Sequence, residues 1–252
     1  LKKENIDIFR INLSHTKENE IEKIISYLKK FNLKNICIDT EGAQIRTTKT
    51  LKKHFIKSGK LIRISNHNQI STNKIINLYP SINLKKISIK NKIYIGFNNL
   101  CLEVKKKNKN KNFILCKVLS SGYLESNKGV HIDADLNLDP LTDKDKKALE
   151  IAKKLKIKNF AVSFVNHQND LDKVRKIVGN KVNIISKIET INAIKNLRQI
   201  SKKSNALLID RGDLSRYVPV ETIPSAQEYI VKITKKMKKP TYVATNLLET
   251  MI

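Results

Sequence analysis

Short apolar segments alternate along this chain with stretches whose apolar residues recur at helical spacing, and this rhythm constrains the fold more than any other feature. Ile6–Leu13 and Ile36–Asp39 predict strands, and Lys17–Lys30 predicts a helix between them. After a long interruption the rhythm resumes. Further strands are predicted at Phe160–Val165, Val182–Ile188, Ala206–Asp210 and Thr241–Ala244, and further helices at Leu141–Leu155, Asp170–Val178, Ala193–Ser201 and Ala226–Lys238. Apolar strands separated by helices predict an α/β fold with a parallel sheet, and the repeat suits a (β/α)8 TIM-type barrel at least as well as an open doubly wound sheet.

The interruption has a different character, because helical periodicity disappears between about Thr48 and Leu136. Alternating segments predict strands at Lys60–Ser65, Lys92–Ile95, Leu100–Lys105 and Phe113–Leu119, with turns at Asn98-Asn99, Lys106–Asn112 and Ser120–Gly122. We therefore predict a small all-β domain inserted in a βα loop. The predicted organisation is residues 1–47 for the first part of the barrel, 48–136 for the inserted domain and 137–252 for the second part.

The charge of the chain raises the question of an anionic partner, because 50 Lys and Arg residues outnumber 23 Asp and Glu residues and give a formal charge of +27. The lysines are dispersed over nearly every segment, as a compositional bias from an A/T-rich genome would leave them, and this argues against a nucleic-acid interface. The densest basic run, Lys105–Asn112, fits a solvated hairpin tip or a phosphate-binding tip. The three cysteines have no metal-ligand spacing, which fits a reducing, cytoplasmic compartment. No apolar run is long enough to cross a bilayer, so no association with a membrane is expected.

Polar side chains occur where buried strands are expected to end. Arg10, Asn12 and Ser14 are predicted to share one face of the first strand, and Lys187 and Glu189 share a face at the end of another. Charged or polar residues also follow other strands, at Asp39-Thr40, Arg46 and Asp210-Arg211-Gly212-Asp213. Any one of these charges could form a structural ion pair. Together, at the face where barrel enzymes place their active sites, they predict a catalytic site.

The chemistry of these residue types fits phosphoryl transfer. Two carboxylates, Glu189 and Asp213, suit a hard divalent cation, whereas Lys187, Arg10 and Arg46 suit a phosphoryl group. Neither G-x-x-x-x-G-K-[ST] nor G-x-G-x-x-G occurs, so a P-loop NTPase is excluded and a Rossmann site is unsupported.

At these residues the sequence resembles the pyruvate kinase family, almost from end to end. The segments FRINLSH, DTEGAQIRT, KGV followed by PLTDKD, AVSFV, SKIET, RGDL and ATNLLETM appear in the family's order. The insertion falls where the family has its mobile lid domain. The resemblance implies a phosphotransferase that moves the phosphoryl group of phosphoenolpyruvate to ADP, giving pyruvate and ATP, and a homo-oligomer, which in the family is a tetramer.

The resemblance also implies individual roles. Lys187 is similar to the lysine that bridges the transferring phosphoryl group, and Thr245 is similar to the threonine near the enolate carbon. Glu189 and Asp213 match the ligands of Mg2+ or Mn2+, and Arg10 and Arg46 match the arginines around the phosphates. The remaining matches are Asn12, Ser14, Asp39 and Thr40 for a monovalent cation such as K+, Gly212, Asp213, Thr245 and Ser163 for substrate, and His15 and Lys128 for the nucleotide side.

Several positions depart from the family pattern. Ser215, Arg216 and Tyr217 replace Gly-x-Glu after RGDL, and Asp210 replaces an alanine. Ala43 and Gln44 replace Pro and Glu, the lid's Asp-Asp-Gly turn is Gly96-Phe97-Asn98-Asn99, and SHG has become SHT. These changes leave open a paralogue that handles another enolpyruvate or acceptor, or a non-catalytic basic binding protein. A closed barrel of this type needs eight strands, but the sequence pattern predicts only six. We therefore expect this chain to be an internal piece of a longer protein.

Overall fold

The computed structural model describes residues 6–33, 35–42, 44–67, 69–96, 100–108, 112–134, 136, 138–215 and 217–244. The chain divides into two compact units. One unit, called here the parallel-sheet unit, comprises Leu1–Ala43 and Asp139–Ile252. The other, called the inserted unit, comprises Gln44–Leu138.

The elements are numbered along the chain. The strands are β1 (Phe9–Asn12), β2 (Ile36–Asp39), β3 (Arg46–Thr47), β4 (His54–Ile56), β5 (Leu61–Ser65), β6 (Ile75–Tyr79), β7 (Lys92–Ile95), β8 (Leu100–Asn108), β9 (Phe113–Ser120), β10 (Gly122–Leu124), β11 (Val130–Ile132), β12 (Asn159–Val162), β13 (Asn183–Ile188), β14 (Ala206–Asp210) and β15 (Thr241–Ala244). The helices are α1 (Ile21–Lys30), α2 (Asp143–Lys154), α3 (Gln168–Val178), α4 (Ile191–Lys195), α5 (Leu197–Lys203), α6 (Arg211–Leu214) and α7 (Ile223–Lys236).

The parallel-sheet unit is built on a six-stranded sheet in the order β1-β2-β12-β13-β14-β15, with every neighbouring pair parallel. Helices alternate with the strands, which confirms the α/β class. The main core of this unit combines strand residues such as Ile38, Phe160 and Ile184 with helix residues such as Ile25 and Leu149. Burial of these apolar side chains between sheet and helices is the main force that holds the unit together.

Strand alternation gives the sheet a second face of different composition. Cys37, Ala161, Ile185 and Ala206 form a separate small cluster on that face. Since successive side chains point to opposite sides of a strand, residues two or four positions further along share this face. Polar residues occupy such positions on four strands or just after them, at Asp39, Ser163, Lys187 and Asp210, whereas Leu208 packs against the apolar cluster. The sheet therefore changes from apolar to charged toward the carboxyl ends of its strands.

Element boundaries differ from the sequence predictions near the start of the chain. β1 ends at Asn12, and Leu13–His15 form a short 3₁₀ helix in which the Asn12 side chain accepts a hydrogen bond from the Ser14 N–H, at 2.9 Å. The prediction that Ser14 continues the strand face of Arg10 and Asn12 is therefore wrong. α1 begins at Ile21 rather than at Lys17, because Glu18–Glu20 form a separate 3₁₀ turn.

α2 begins where Thr142 and Asp145 form a capping box, as their positions in the sequence indicate. The region predicted as one helix from Ala193 to Ser201 consists of α4 and α5, which meet at Asn196. Among the described residues, no helix combines the length and the apolar character that crossing a bilayer requires.

The inserted unit contains a seven-stranded sheet, in the order β11-β7-β8-β9-β5-β6-β3, and a β4–β10 pair. All described neighbours are antiparallel except β5 and β6. Ile64, Ile93, Leu102 and Val118 lie in its apolar core. The predicted turn at Lys106–Asn112 begins too early, because β8 continues to Asn108. Asn98-Asn99 lies outside the described residues.

Candidate active site

Lys187 lies at the centre of a group of charged side chains at the carboxyl ends of the parallel strands. It is on β13, and its side chain is only 8% exposed. Its Nζ is 2.8 Å from Glu189 Oε1, and 3.7 Å from both Asp39 Oδ1 and Asp210 Oδ2. It also donates to Ser163 Oγ, at 3.1 Å. The ammonium group is therefore surrounded by oxygens from four neighbouring strands or the residues that follow them.

Glu189 is held between β13 and α4. β13 ends at Ile188, and the Thr190 hydroxyl accepts from the Ala193 N–H at 3.0 Å, which caps α4 and fixes the turn that carries Glu189. Glu189 is completely buried, and its Oε2 accepts from the Phe164 N–H at 2.7 Å. Phe164 has a positive φ of 52°, which is uncommon and costly for an aromatic residue. The strained backbone of Phe164, just after β12, therefore carries the N–H that donates to the buried carboxylate of Glu189.

Asp39 is the last residue of β2, and its carboxylate faces two cations, Arg10 and Lys187. Its Oδ2 is 3.1 Å from Arg10 Nε, and its Oδ1 faces Lys187. Ser163 connects this carboxylate to the next strand: its hydroxyl lies 3.4 Å from Asp39 Oδ1 and donates to the Thr40 carbonyl oxygen at 2.7 Å. The Thr40 hydroxyl accepts from the Ser163 N–H at 2.9 Å. Asp39, Thr40 and Ser163 are therefore one hydrogen-bonded group.

Three carboxylates form a candidate metal-binding group. Glu189, Asp210 and Asp213 each offer one oxygen, and these oxygens lie within 4.8 Å of one another. Asp213 is on α6, and its N–H donates to Asp210 Oδ1 at 3.3 Å, which caps this short helix. A set made only of carboxylate oxygens fits Mg2+ or Mn2+, and it lacks the Cys or His ligands that zinc sites usually contain.

Burial and charge shift the pKa values of the central groups. The pKa of Glu189 is raised to about 8: burial is the main cause and the neighbouring Asp213 adds to it, while Lys187 and the Phe164 N–H oppose the shift. Burial also raises the pKa of Asp39, more than Lys187 and Arg10 lower it. For Lys187 burial acts in the opposite direction, but the carboxylates of Glu189, Asp39 and Asp210 outweigh it and raise the pKa. Lys187 therefore stays cationic at neutral pH.

The first strand and the 3₁₀ helix that follows it contain three more of the predicted residues. Asn12 is the register partner of Asp39 in the β1–β2 pair. Its side-chain oxygen accepts from Ser14, which is exposed, as is His15 in the same 3₁₀ helix. Asn12 therefore lies beside the Asp39 group, whereas Ser14 and His15 lie beyond the end of the strand.

The other predicted residues fall elsewhere. Arg46 and Lys128 belong to the inserted unit, where Arg46 donates to the Asn127 carbonyl oxygen at 3.1 Å and Lys128 pairs with Glu125 at 3.0 Å. Gly212 is on α6 next to Asp213. Thr245 and Arg216 lie outside the described residues.

Sequence reasoning missed the connection between α2 and this site. The Asp145 carboxylate accepts from the backbone N–H groups of Glu41 and Gly42, which follow Asp39 and Thr40. The capping-box pattern gave Asp145 a local role only. Nothing in the local sequence could reveal a contact between residues 104 positions apart.

Comparison with known proteins gives a consistent result. The family model described as pyruvate kinase, barrel domain, matches residues 1–252. The chain is 31% identical over 258 residues to the pyruvate kinase of Thermotoga maritima, covering 98% of this chain and 55% of that protein. It is 30% identical over 253 residues to the pyruvate kinases of Borreliella burgdorferi and Encephalitozoon cuniculi, covering 98% of this chain and 52% and 58% of those proteins. The chain thus spans little more than half the length of these relatives.

Proposed function

The chain belongs to the pyruvate kinase family, and from this premise we propose that the full-length protein transfers the phosphoryl group of phosphoenolpyruvate to ADP. The single observation that best supports this activity is the buried Lys187, which faces Asp39 and Asp210 and pairs with Glu189 of the three-carboxylate group. A fixed cation beside a candidate metal site is what stabilisation of a transferring phosphoryl group requires.

In the proposed reaction, the bond between phosphorus and the enolate oxygen of phosphoenolpyruvate breaks, and a terminal oxygen of ADP forms the new bond to phosphorus. The enolate carbon then takes a proton to give pyruvate. Lys187 stabilises the negative charge of the phosphoryl group during transfer, and Arg10, held by Asp39, supplies a second cation on the same side. Because these groups are fixed before the substrate binds, little reorganisation is needed at the moment of transfer.

The divalent cation in this proposal is Mg2+ or Mn2+, held by Glu189 and Asp213. When bound, it would act as a Lewis acid on substrate oxygens. The chain's own contribution is to present carboxylates: the Phe164 N–H orients Glu189, and the cap of α6 orients Asp210 beside Asp213. Lys187 keeps the buried carboxylate of Glu189 in place from the other side.

The remaining roles follow from the family resemblance. We assign Asn12, Ser14, Asp39 and Thr40 to a site for K+, which suits oxygen ligands. Gly212, Asp213, Thr245 and Ser163 are assigned to substrate. Arg46 is assigned to the phosphates, and His15 and Lys128 to the nucleotide side. The inserted unit would act as a lid that excludes water from the transfer.

The same premise extends to the larger organisation. We propose that the described six-stranded sheet is part of a (β/α)8 barrel, with residues 48–136 as the inserted β domain. We further propose that the full-length protein is a cytoplasmic homo-oligomer.

Asp210 favours one alternative within the same family, an enzyme with another enolpyruvate substrate or phosphoryl acceptor. Its carboxylate lies 3.7 Å from Lys187 and also accepts from the N–H of Asp213, a residue assigned above to substrate. An acid at this place competes with an anionic substrate for both groups.

The decisive experiment measures pyruvate formation from phosphoenolpyruvate, ADP and Mg2+ with the full-length protein. We expect Lys187→Met to lower kcat by about 100- to 1,000-fold, as removal of one preorganised stabilising group usually does, with a much smaller change in KM. Lys195→Met, which removes an exposed lysine of α4, is the matched control and keeps wild-type kinetics. A wild-type protein without this turnover, but active on another enolpyruvate, would favour the alternative. Equal losses in kcat and in substrate affinity would contradict the assigned role of Lys187.

A further inference from the structure

Asp145 is a buried carboxylate whose bonds reach beyond its own helix. It occupies the third position of α2 and has no exposed surface. Within the capping box, its N–H donates to the Thr142 hydroxyl, and its Oδ2 accepts from the Thr142 N–H, both at 3.0 Å. These two bonds are all that a capping box contains.

Two further backbone donors reach the same carboxylate from the segment after β2. The Glu41 N–H donates to Asp145 Oδ1 at 2.7 Å, and the Gly42 N–H donates to Oδ2 at 3.0 Å. The neighbouring Lys144 adds a second tie, because its Nζ donates to the Leu13 carbonyl oxygen and lies 3.6 Å from Glu41 Oε2. The first turn of α2 therefore holds residues that follow β1 and β2.

The segment held in this way is tightly packed against the end of β12. Gly42 has a φ of +73°, and a Cβ there would lie 2.8 Å from the Phe164 ring and 3.0 Å from Ser163 Cβ. Thr40 and Ser163 exchange two hydrogen bonds, at 2.9 and 2.7 Å. A displacement of Glu41 and Gly42 would therefore be passed to Ser163 and Phe164.

Ser163 and Phe164 in turn contact the two central residues of the site. The Ser163 hydroxyl accepts from Lys187 Nζ, and the Phe164 N–H donates to Glu189 Oε2. We infer that Asp145 is a positioning residue: its carboxylate fixes the segment after β2 and, through Ser163 and Phe164, sets the places of Lys187 and Glu189. For its effect on turnover, this inference rests on the function proposed above.

Asp170 offers a matched comparison, because it occupies the same position in the capping box of α3. One of its oxygens, Oδ2, accepts from the N–H groups of Asn166 and His167, both at 2.9 Å. An asparagine at 170 can keep both bonds through its one carbonyl oxygen. At 145 both carboxylate oxygens accept backbone N–H groups, so an asparagine must turn an NH2 group toward one of them.

The test compares Asp145→Asn with Asp170→Asn in the full-length protein. By hydrogen exchange, we expect the Glu41 and Gly42 amides to exchange about 10- to 100-fold faster in Asp145→Asn, as loss of a charge-assisted hydrogen bond predicts, and at wild-type rates in Asp170→Asn. In the phosphoenolpyruvate–ADP assay, kcat falls about tenfold or more in Asp145→Asn alone, while KM changes far less, because the reacting groups are misplaced rather than lost.

Equal effects of the two variants on exchange and on kcat would overturn the inference, as would wild-type kcat in Asp145→Asn despite faster exchange. If the wild-type protein does not turn over phosphoenolpyruvate and ADP, the proposed function fails, but the exchange rates still decide whether Asp145 holds this segment. If Asp145→Asn does not fold, Asp145→Glu replaces it, because it keeps both acceptor oxygens but moves them by one methylene group. Faster exchange at Glu41 and Gly42 supports the inference, and wild-type exchange with wild-type kcat overturns it.

Discussion

Substitution of Gly42 by alanine tests the packing on which the site depends. Gly42 has a φ of +73°, a conformation that costs a residue with a Cβ about 1–2 kcal/mol. The new Cβ would also lie 2.8 Å from a carbon of the Phe164 ring, 3.0 Å from Ser163 Cβ and 3.2 Å from the Ser163 carbonyl oxygen. Two of these three atoms belong to or adjoin the backbone, and Phe164 is buried, so none can move away freely.

The two contributions can be estimated separately. Overpacking of this kind usually costs about 1–3 kcal/mol, so we expect Gly42→Ala to lower the free energy of unfolding by about 2–5 kcal/mol in total. Gly96 is the control: its φ is +70°, close to that of Gly42, but nothing lies within 4 Å of its Cβ position. Gly96→Ala should cost only the backbone contribution, about 1–2 kcal/mol.

The measurement is urea unfolding of the full-length protein and both variants, followed by circular dichroism. The difference between the variants isolates the overlap with Ser163 and Phe164. If Gly42→Ala is no more destabilising than Gly96→Ala, the close approach of Gly42 to the end of β12 is refuted. With it would fall the mechanical path from Asp145 to Lys187 and Glu189.

Changes of pH and of single charges offer three more tests. Burial lowers the pKa of His131, so the stability it contributes is complete above its unfolded value near 6.5 and is lost as the pH falls. In urea unfolding between pH 7 and 5, His131→Phe should therefore lose less stability than wild type, and equal losses would contradict this. Burial raises the pKa of Glu189 to about 8, so Mn2+ affinity, measured by electron paramagnetic resonance, should rise up to about tenfold per pH unit from pH 6 and level off above pH 8. A pH-independent affinity would argue against Glu189 as a ligand. Asp210→Ala should weaken Mn2+ binding about tenfold, in the range found when groups around a metal are removed, and an unchanged affinity would exclude Asp210 from the metal environment.

The parallel sheet was predictable because its signal is local. Apolar runs and helical spacing identified all six strands of the parallel sheet, which are β1, β2 and β12–β15. Ala206–Asp210 and Thr241–Ala244 have their predicted bounds. In the inserted unit, β5, β7, β8 and β9 were predicted, but β3, β4, β6, β10 and β11 were not. Four of the missed strands have two or three residues each and depend on partners far along the chain, so periodicity cannot detect them. β6 has five residues, but its three central side chains are all buried, so it lacks the alternation that marked the other strands.

The site shows the same division between local and distant information. Alternation along the strands correctly indicated that Lys187 and Glu189 lie together. It failed at Ser14, because the Asn12 side chain bonds the next turn of backbone and ends the strand. The distances that join Asp39, Lys187 and Asp210 depend on the order and register of the strands, which no local pattern contains.

The charged residues at the centre of the site suit the binding of a ligand better than the stability of the fold. Among the described residues, several carboxylates lie close to the cations Arg10 and Lys187, namely those of Asp39, Glu189, Asp210 and Asp213. Well-packed apolar residues in such positions are often at least as stable as buried ion pairs, because desolvation of the charges offsets their attraction. A divalent cation would offset part of the negative charge of these carboxylates, and burial is the main cause of the raised pKa of Glu189. The fold supports this arrangement through backbone donors at Phe164 and through Asp145, which lie outside the charged group itself. Stability alone would not favour buried charged groups at this place, whereas the binding of a cation and a phosphoryl group, as proposed above, requires them.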